Sequence, residues 1–196
     1  MKPFILASGS PRRKQLLEQV HYTFQVVTSS IDEQIDPTLT PEQTVQQLAL
    51  QKAKDIAIQY PDAVVLGADT VVAYEDHILG KPSEQMEAKE MLSMLAGKAH
   101  NVFTGVALVF NQEFETFAER TSVQFWPLTE EEINAYVESG EPFDKAGSYG
   151  IQGFGSYLVK EIKGDYFNVV GLPLARTMRA LEKFGVNVPF EKNRIS

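Results

Sequence analysis

The sequence predicts an α/β fold built on a mixed β-sheet flanked by helices. Three observations lead to it. Short apolar runs alternate with helical patterns through the first hundred residues, as strand–helix–strand units do. Ala63–Leu66 is apolar without interruption, as expected of a strand buried on both faces. Two long strand-like stretches, Val102–Phe110 and Glu113–Phe125, follow each other directly across Asn111-Gln112, which a purely parallel sheet does not permit.

Each element has its own signal. Phe4–Ala7 reads as a buried strand. Ser10 suits an N-cap and Pro11 a first helical position, opening a helix over Arg12–Val20 with Leu16, Leu17 and Val20 on one face. Tyr22–Val27 reads as a second strand and Thr28–Thr38 as a polar loop carrying Asp32, Glu33 and Asp36. Thr40-Pro41-Glu42-Gln43 is a capping box, and Val45, Leu48, Ala49, Ala53, Ile56 and Ala57 give the helix behind it an apolar face up to Tyr60-Pro61. The Ala63–Leu66 strand is expected to end in Gly67-Ala68-Asp69-Thr70, with Val71–Tyr74 resuming as a strand and Glu75-Asp76-His77 turning into Ile78-Leu79. Gly80-Lys81-Pro82 breaks the chain, Ser83 caps a helix to Leu95, and Gly97 stops it. After the two long strands, Thr129 and Glu132 form a second capping box for a helix to Ser139. Asp144–Gly155 is glycine-rich with aromatics interleaved, and Tyr157–Ile162 with Tyr166–Val170 reads as a hairpin about Lys163-Gly164-Asp165. Leu172-Pro173 starts a last helix to Phe184, and residues 186–196 are expected to be a loose tail.

At 196 residues the chain can bury one sizeable core, so residues 1–196 are read as a single domain with two lobes. The absence of cysteine excludes disulfides, thiolate metal sites and a cysteine nucleophile. No apolar run reaches membrane-spanning length, and the short apolar start is no signal peptide, so the expectation is a cytoplasmic protein with no membrane partner. A net charge of −8 argues against nucleic-acid binding. A polyphosphate ligand would need a local cluster of cations and a divalent metal to overcome that field. Arg12, Arg13 and Lys14 form one such cluster, Lys52 and Lys54 a second, and Lys81 a third.

Three segments carry candidate chemistry. Ser8-Gly9-Ser10-Pro11-Arg12-Arg13-Lys14 joins a strand to a helix whose first turn is basic, where helices usually place acids. Such a turn attracts a phosphate chain, or is simply a solvated basic turn. Asp69 follows a strongly apolar strand, where open α/β sheets place ligand crevices. A carboxylate there is paired, metal-bound or functional, or else caps a turn. Asp144–Gly153 offers backbone for close ligand approach, and Gln152 carries both a donor and an acceptor, suiting the imide edge of uracil or thymine. Its alternative is a structural turn. Lys81, held between Gly80 and Pro82, suits a phosphate oxygen, or taken alone is a solvated loop lysine. Lys52 alone is an ordinary helix lysine, and Glu33 and Asp32 either offer oxygen ligands to Mg²⁺ or form only an acidic loop. P-loop, Rossmann, zinc-ligand and Gly-x-Ser-x-Gly patterns are all absent.

Taken in order, Ser8-Gly9-Ser10-Pro11-Arg12-Arg13, Gln51-Lys52-Ala53, Gly67-Ala68-Asp69-Thr70, Leu79-Gly80-Lys81-Pro82, Asp144-Lys145-Ala146-Gly147 with Tyr149-Gly150-Ile151-Gln152-Gly153, and Gly164-Asp165-Tyr166 with Val170-Gly171-Leu172-Pro173 resemble the Maf family of nucleoside triphosphate pyrophosphatases. They span nearly the whole chain. The resemblance implies an elongated mixed sheet of the Maf/ITPase-like kind, two lobes around a central cleft, and often a homodimer. It also implies hydrolysis of a nucleoside triphosphate to monophosphate and pyrophosphate with a divalent cation, Mg²⁺ or Mn²⁺, and a link to septum formation. By the same resemblance Asp69 is the catalytic proton acceptor and, with Glu33, a metal ligand. Ser8, Arg13, Lys52 and Lys81 hold the triphosphate, and Arg12, Thr70 and Gln152 mark the branch similar to dTTP/UTP pyrophosphatases, with modified pyrimidines as further substrates. Ser148 stands where relatives commonly have Ala. The alternatives are a nucleotide-binding regulator of septum formation without significant catalysis, or a pyrophosphatase for 7-methyl-GTP or CTP.

Overall fold

In a computed structural model, which describes residues 2–189, the apolar runs assemble into a mixed sheet of order β2-β1-β3-β5-β6-β7, with β4 paired to β3. The strands are β1 (Phe4–Ala7), β2 (Gln25–Val26), β3 (Val64–Tyr74), β4 (His77–Leu79), β5 (Ala99–Phe110), β6 (Glu113–Phe125) and β7 (Val159–Lys163). The helices are α1 (Pro11–Gln19), α2 (Pro41–Gln59), α3 (Gln85–Leu95), α4 (Glu130–Glu138), α5 (Tyr166–Val170) and α6 (Leu174–Lys183). β1 lies parallel to β2 and β3, whereas β3–β4 and β6–β7 are antiparallel. The expected α/β architecture with a mixed sheet is therefore present.

The chain divides into two compact units. The first comprises the chain up to Asp69, Thr104–Glu119 and the chain from Gly171; the second comprises Thr70–Phe103 and Arg120–Val170. Strands β3, β5 and β6 each run on from one unit into the other. The first unit has a core of Ile5, Ala7, Ala49, Ala53, Ile56, Ala63, Val65, Ala107 and Val109, in which α2 covers the sheet. The second has a larger core in which Leu92 and Leu95 of α3, Ile133 and Val137 of α4, Phe125 and Leu158 pack together.

Several elements differ from the sequence reading, each for a local reason. β3 does not stop at Gly67 but continues to Tyr74, so Asp69 lies within a strand and not at its end. Gly67 makes room for α2, since a Cβ there would lie 2.2 Å from Ala49 O. Tyr22–Val27 contributes only Gln25 and Val26 to the sheet; Tyr22 and Phe24 instead turn their rings onto Phe4, at centroid distances of 5.7 and 5.9 Å. Ser83 does not cap α3: its N–H and hydroxyl both donate to Glu87 Oε2 at 2.6 Å, and the helix starts at Gln85. Tyr157 and Leu158 belong to a 3₁₀ segment, Gly153–Leu158, so the strand begins at Val159. Tyr166–Val170 is a helix and not a strand. Asp165 Oδ1 accepts from Phe167 N at 2.8 Å, and buried Asn168 donates to Val102 O and Thr121 Oγ1 at 3.1 and 3.0 Å, so side-chain anchoring overrides the β-propensity of Tyr, Phe and Val. Val186 and Val188 of the expected loose tail are buried, and residues 190–196 lie outside the described residues.

Candidate active site

The first unit organises its polar groups around α2. The predicted capping box is formed: Gln43 N donates to Thr40 Oγ1 at 3.3 Å and Thr40 N to Gln43 Oε1 at 3.0 Å. Two glycines then let the helix lie directly on the sheet. A Cβ on Gly105 would come within 2.2 Å of the Val45 carbonyl, and one on Gly67 within 2.2 Å of Ala49 O and 2.9 Å of Ala53 N. This close approach brings Lys52 against the next strand residues. Its Nζ lies 2.6 Å from Asp69 Oδ1 and 3.0 Å from Glu33 Oε1. The side chains of Lys52 and Asp69 are 17% and 15% exposed while that of Glu33 is 41% exposed, so two shielded groups meet one that faces water.

Glu33 stands in a loop without regular secondary structure, and α2 holds that loop at two points. Gln34 N donates to Gln51 Oε1 at 3.1 Å and Gln51 Nε2 donates to Gln34 O at 2.9 Å, so the Gln51 amide pairs with backbone much as a neighbouring strand would. One helical turn on, Asp55 Oδ2 accepts from Ser29 Oγ at 2.7 Å. The sequence reading gave neither Gln51 nor Asp55 a role. Their i, i+4 spacing astride Lys52, opposite a polar loop that lacks its own hydrogen-bond ladder, is the signal that could have found them.

At the end of β1, buried Ser8 accepts from Arg13 Nη1 at 3.0 Å and from Ser10 N at 3.3 Å. Arg13 Nε donates to Gly171 O at 2.8 Å, a second partner that the sequence reading missed. Burial lowers the Arg13 pKa from its ordinary value; the charges of Asp69 and Glu33 act against that shift and Arg12 adds to it. Ser10 and Pro11 occupy the N-cap and first helical positions as expected, but the Ser10 side chain makes no cap bond. The first turn of α1 contains no acid. Lys14 points instead to Glu18, 3.6 Å away on the exposed face. The first unit thus brings together Ser8, Arg13, Glu33, Lys52 and Asp69, with Arg12 beside Arg13 in sequence.

Thr70, Lys81 and Gln152 belong to the second unit. Thr70 follows Asp69 on β3 and is half-buried. Lys81 is exposed in the turn after β4, and that turn is tied to the glycine-rich loop by Gly147 N donating to Gly80 O at 2.9 Å. Gly147 has φ of 66° and a Cβ there would fall 2.7 Å from Val72 Cγ2, so only glycine fits this crossing. The loop is fixed from beneath by Tyr149, whose hydroxyl lies 2.7 Å from His100 Nε2. Gln152 is exposed at its far end.

Two carboxylates converging on one cationic atom suit a hard divalent ion, since Mg²⁺ is commonly held by one or two carboxylates with phosphate oxygens and water completing its shell. Among the described residues no group of three or more His, Cys, Asp or Glu is placed to hold a metal. No helix among them is long and apolar enough to cross a membrane.

A family model described as Maf-like protein matches residues 3–184. A dTTP/UTP pyrophosphatase from Halalkalibacterium halodurans is 60% identical over 190 residues, covering 97% of this chain and 100% of that protein. One from Bacillus cereus is 57% identical over 188 residues, covering 96% and 98%. Among solved structures, a HAM1 protein from Coxiella burnetii covers 93% of this chain and 100% of its own at a TM-score of 0.55 and 14% identity, a likeness of fold. With a family match over nearly its whole length and relatives above half identity at full coverage, the chain belongs to the Maf-like protein family.

Proposed function

We propose that this chain hydrolyses dTTP and UTP to the monophosphate and pyrophosphate, in the cytoplasm, with a divalent cation and with modified pyrimidine nucleotides as further substrates. The observation that carries the reading is the Lys52 ammonium set between Asp69 and Glu33 in the same unit as Arg13 and Ser8. That group can grip an anionic chain and take up a proton in one place. The relatives above, named for this activity, support it.

In this reading Arg13, Lys52 and Lys81 neutralise the triphosphate, and Arg12 and Ser8 add contacts at the basic helix turn. Asp69 orients a water and takes its proton as the water oxygen bonds to the α-phosphorus. The bond from that phosphorus to the bridging oxygen breaks, and pyrophosphate leaves with the electron pair. Glu33 and Asp69 would hold Mg²⁺ or Mn²⁺, which when bound supplies charge neutralisation to the phosphate oxygens. Little covalent work is asked of the protein, so rate comes from positioning and charge. Gln152 and Thr70 select the base. The imide edge of uracil or thymine offers an N–H between two carbonyls, whereas cytosine replaces the N–H with an acceptor and one carbonyl with an amine, a mismatch that a hydrogen-bonding site rejects strongly.

A panel of triphosphates scored for pyrophosphate release in ¹⁸O-water tests the proposal. Label in the UMP or dTMP product supports attack at the α-phosphorus; label only in pyrophosphate refutes it. Equal turnover of CTP, 7-methyl-GTP or purine triphosphates refutes the base assignment, and no turnover leaves a nucleotide-binding regulator. Asp69→Asn is expected to lower kcat on the order of 10²–10⁴-fold with folding retained, the usual loss when a general base is removed. Turnover near that of the unmodified protein removes Asp69 from the role.

A further inference from the structure

Gln152 sits at the tip of a small closed loop, and the closure has identifiable causes. Gly150 and Gly155 touch through their backbones: a Cβ on Gly155 would lie 2.1 Å from Gly150 O. Gly150 N donates to Tyr136 Oη at 3.2 Å. On the other side Phe154 N donates to Glu141 Oε1 at 3.0 Å, and Gly155 N to Glu141 Oε2 at 3.3 Å. Gly153, next to Gln152, has φ of 62°, and any Cβ there would fall 2.6 Å from Glu141 Oε1. The main chain at Glu141 is tied down, because Lys145 Nζ donates both to its carbonyl and to Asp144 Oδ1. Tyr136 is 5% exposed on α4, and burial with the nearby Glu141 charge pushes its phenol up to about 12, so it stays a hydroxyl at any assay pH. Ile151 faces inward while Gln152, Gly153 and Phe154 are exposed.

Three glycines in six residues would otherwise leave this loop many conformations. Two side chains, one on each stem, remove that freedom. We infer that Glu141, with Tyr136, is a positioning residue for base selection: it clamps the Gly150–Gly155 loop so that the Gln152 amide presents its donor and acceptor in a fixed direction. The inference rests on the proposed reading of Gln152 as the group that meets the base. Glu141 touches no reacting atom in this role. It acts by holding Gln152 still, so its loss should blur discrimination between bases before it slows chemistry.

The test compares kcat and KM for UTP and CTP in the unmodified protein, Glu141→Ala, Glu141→Gln, Tyr136→Phe and Gln152→Ala. Glu141→Ala is expected to reduce the UTP-over-CTP preference in kcat/KM about tenfold, the worth of one good hydrogen bond. Most of the change should fall in KM for UTP. Glu141→Gln, which keeps one acceptor oxygen, should fall between. Amide hydrogen exchange at Phe154 and Gly155 should quicken in Glu141→Ala while the rest of the second unit keeps its protection. Tyr136→Phe removes one hydroxyl from a packed ring and decides the matter on the same ratio if Glu141→Ala does not fold. If Gln152→Ala loses the preference while Glu141→Ala and Tyr136→Phe keep it, the clamp is overturned and the base assignment stands. If Gln152→Ala keeps the preference, the base assignment fails and the clamp falls with it.

Discussion

Gly67→Ala adds a single methyl group where α2 crosses β3. The added Cβ would lie 2.2 Å from Ala49 O, 2.9 Å from Ala53 N and 3.0 Å from Ala53 Cβ, where ordinary contact begins near 3.4 Å. Two of the three obstacles are helix backbone, which cannot rotate aside, so α2 must move away by about 1.2 Å. That displacement lifts Val45, Leu48, Ala49, Ala53 and Ile56 from positions where they are nearly inaccessible to water. Overpacking of this kind destabilises by about 1–3 kcal/mol, and here the upper end applies because no side chain can yield. In a chain of this size the melting temperature should fall by roughly 2–4 °C per kcal/mol. Lys52 rides on the same helix, so its 2.6 Å approach to Asp69 opens too, and pyrophosphate release should fall with the midpoint. Gly80→Ala is the matched control: a Cβ there meets nothing within 4 Å, so stability should stay within about 0.5 kcal/mol. Urea unfolding of both variants checks the reasoning. A Gly67→Ala midpoint equal to that of the unmodified protein would refute it.

Two further predictions rest on groups outside the reacting centre. Burial lowers His100 to about 4, whereas the unfolded chain holds it near 6.5, so between those values only the unfolded state takes up the proton. Stability is therefore full above pH ~6.5 and falls by about 3 kcal/mol on acidification to pH ~4, with no further loss from this group below that. Unfolding free energies across that range should have a shallower slope in His100→Asn; parallel curves would show that His100 does not titrate this way. Gln51→Ala removes both hydrogen bonds to the Gln34 backbone, so the Gln34 amide should exchange about tenfold faster and turnover should fall with Glu33 less constrained. Unaltered exchange at Gln34 would mean that the loop is held by other means.

The parts of the fold legible in the sequence were those written locally. Thr40 with Gln43 and Thr129 with Glu132 formed the capping boxes their spacing implied, because every partner lies within one turn. Asn111 takes a positive φ of 56°, as the turn between the long strands required. What was misread depended on distant chain. Gly67 looked like the end of a strand because sequence cannot distinguish a glycine that turns from one that makes room for a helix backbone. Tyr166–Val170 has strand-forming residues, but Thr121, Val102 and Asp165 supply the bonds that hold it as a helix. Of the candidate site, Asp69, Lys52, Glu33, Arg13 and Ser8 were named from the chain, although Lys52 stood out only through its neighbours in the family pattern. Gln51, Asp55 and the Gly171 carbonyl were not, because a glutamine on a helix and a backbone oxygen carry no signature until their partners are seen.

One consequence of seating α2 on two glycines concerns angular phase. The helix turns 100° and rises 1.5 Å with every residue, so its two backbone seats fix the azimuth as well as the height of each side chain beyond them. A single residue inserted between Ala49 and Lys52 would swing the ammonium to another side of the cylinder and carry Ala53 off Gly67, while the seat of Val45 on Gly105 would stand. The same change in the loop before Thr40 would leave that azimuth alone. The helix thus serves as an indexed spindle, and tolerance to insertion along this stretch of chain should change abruptly at its first seated turn.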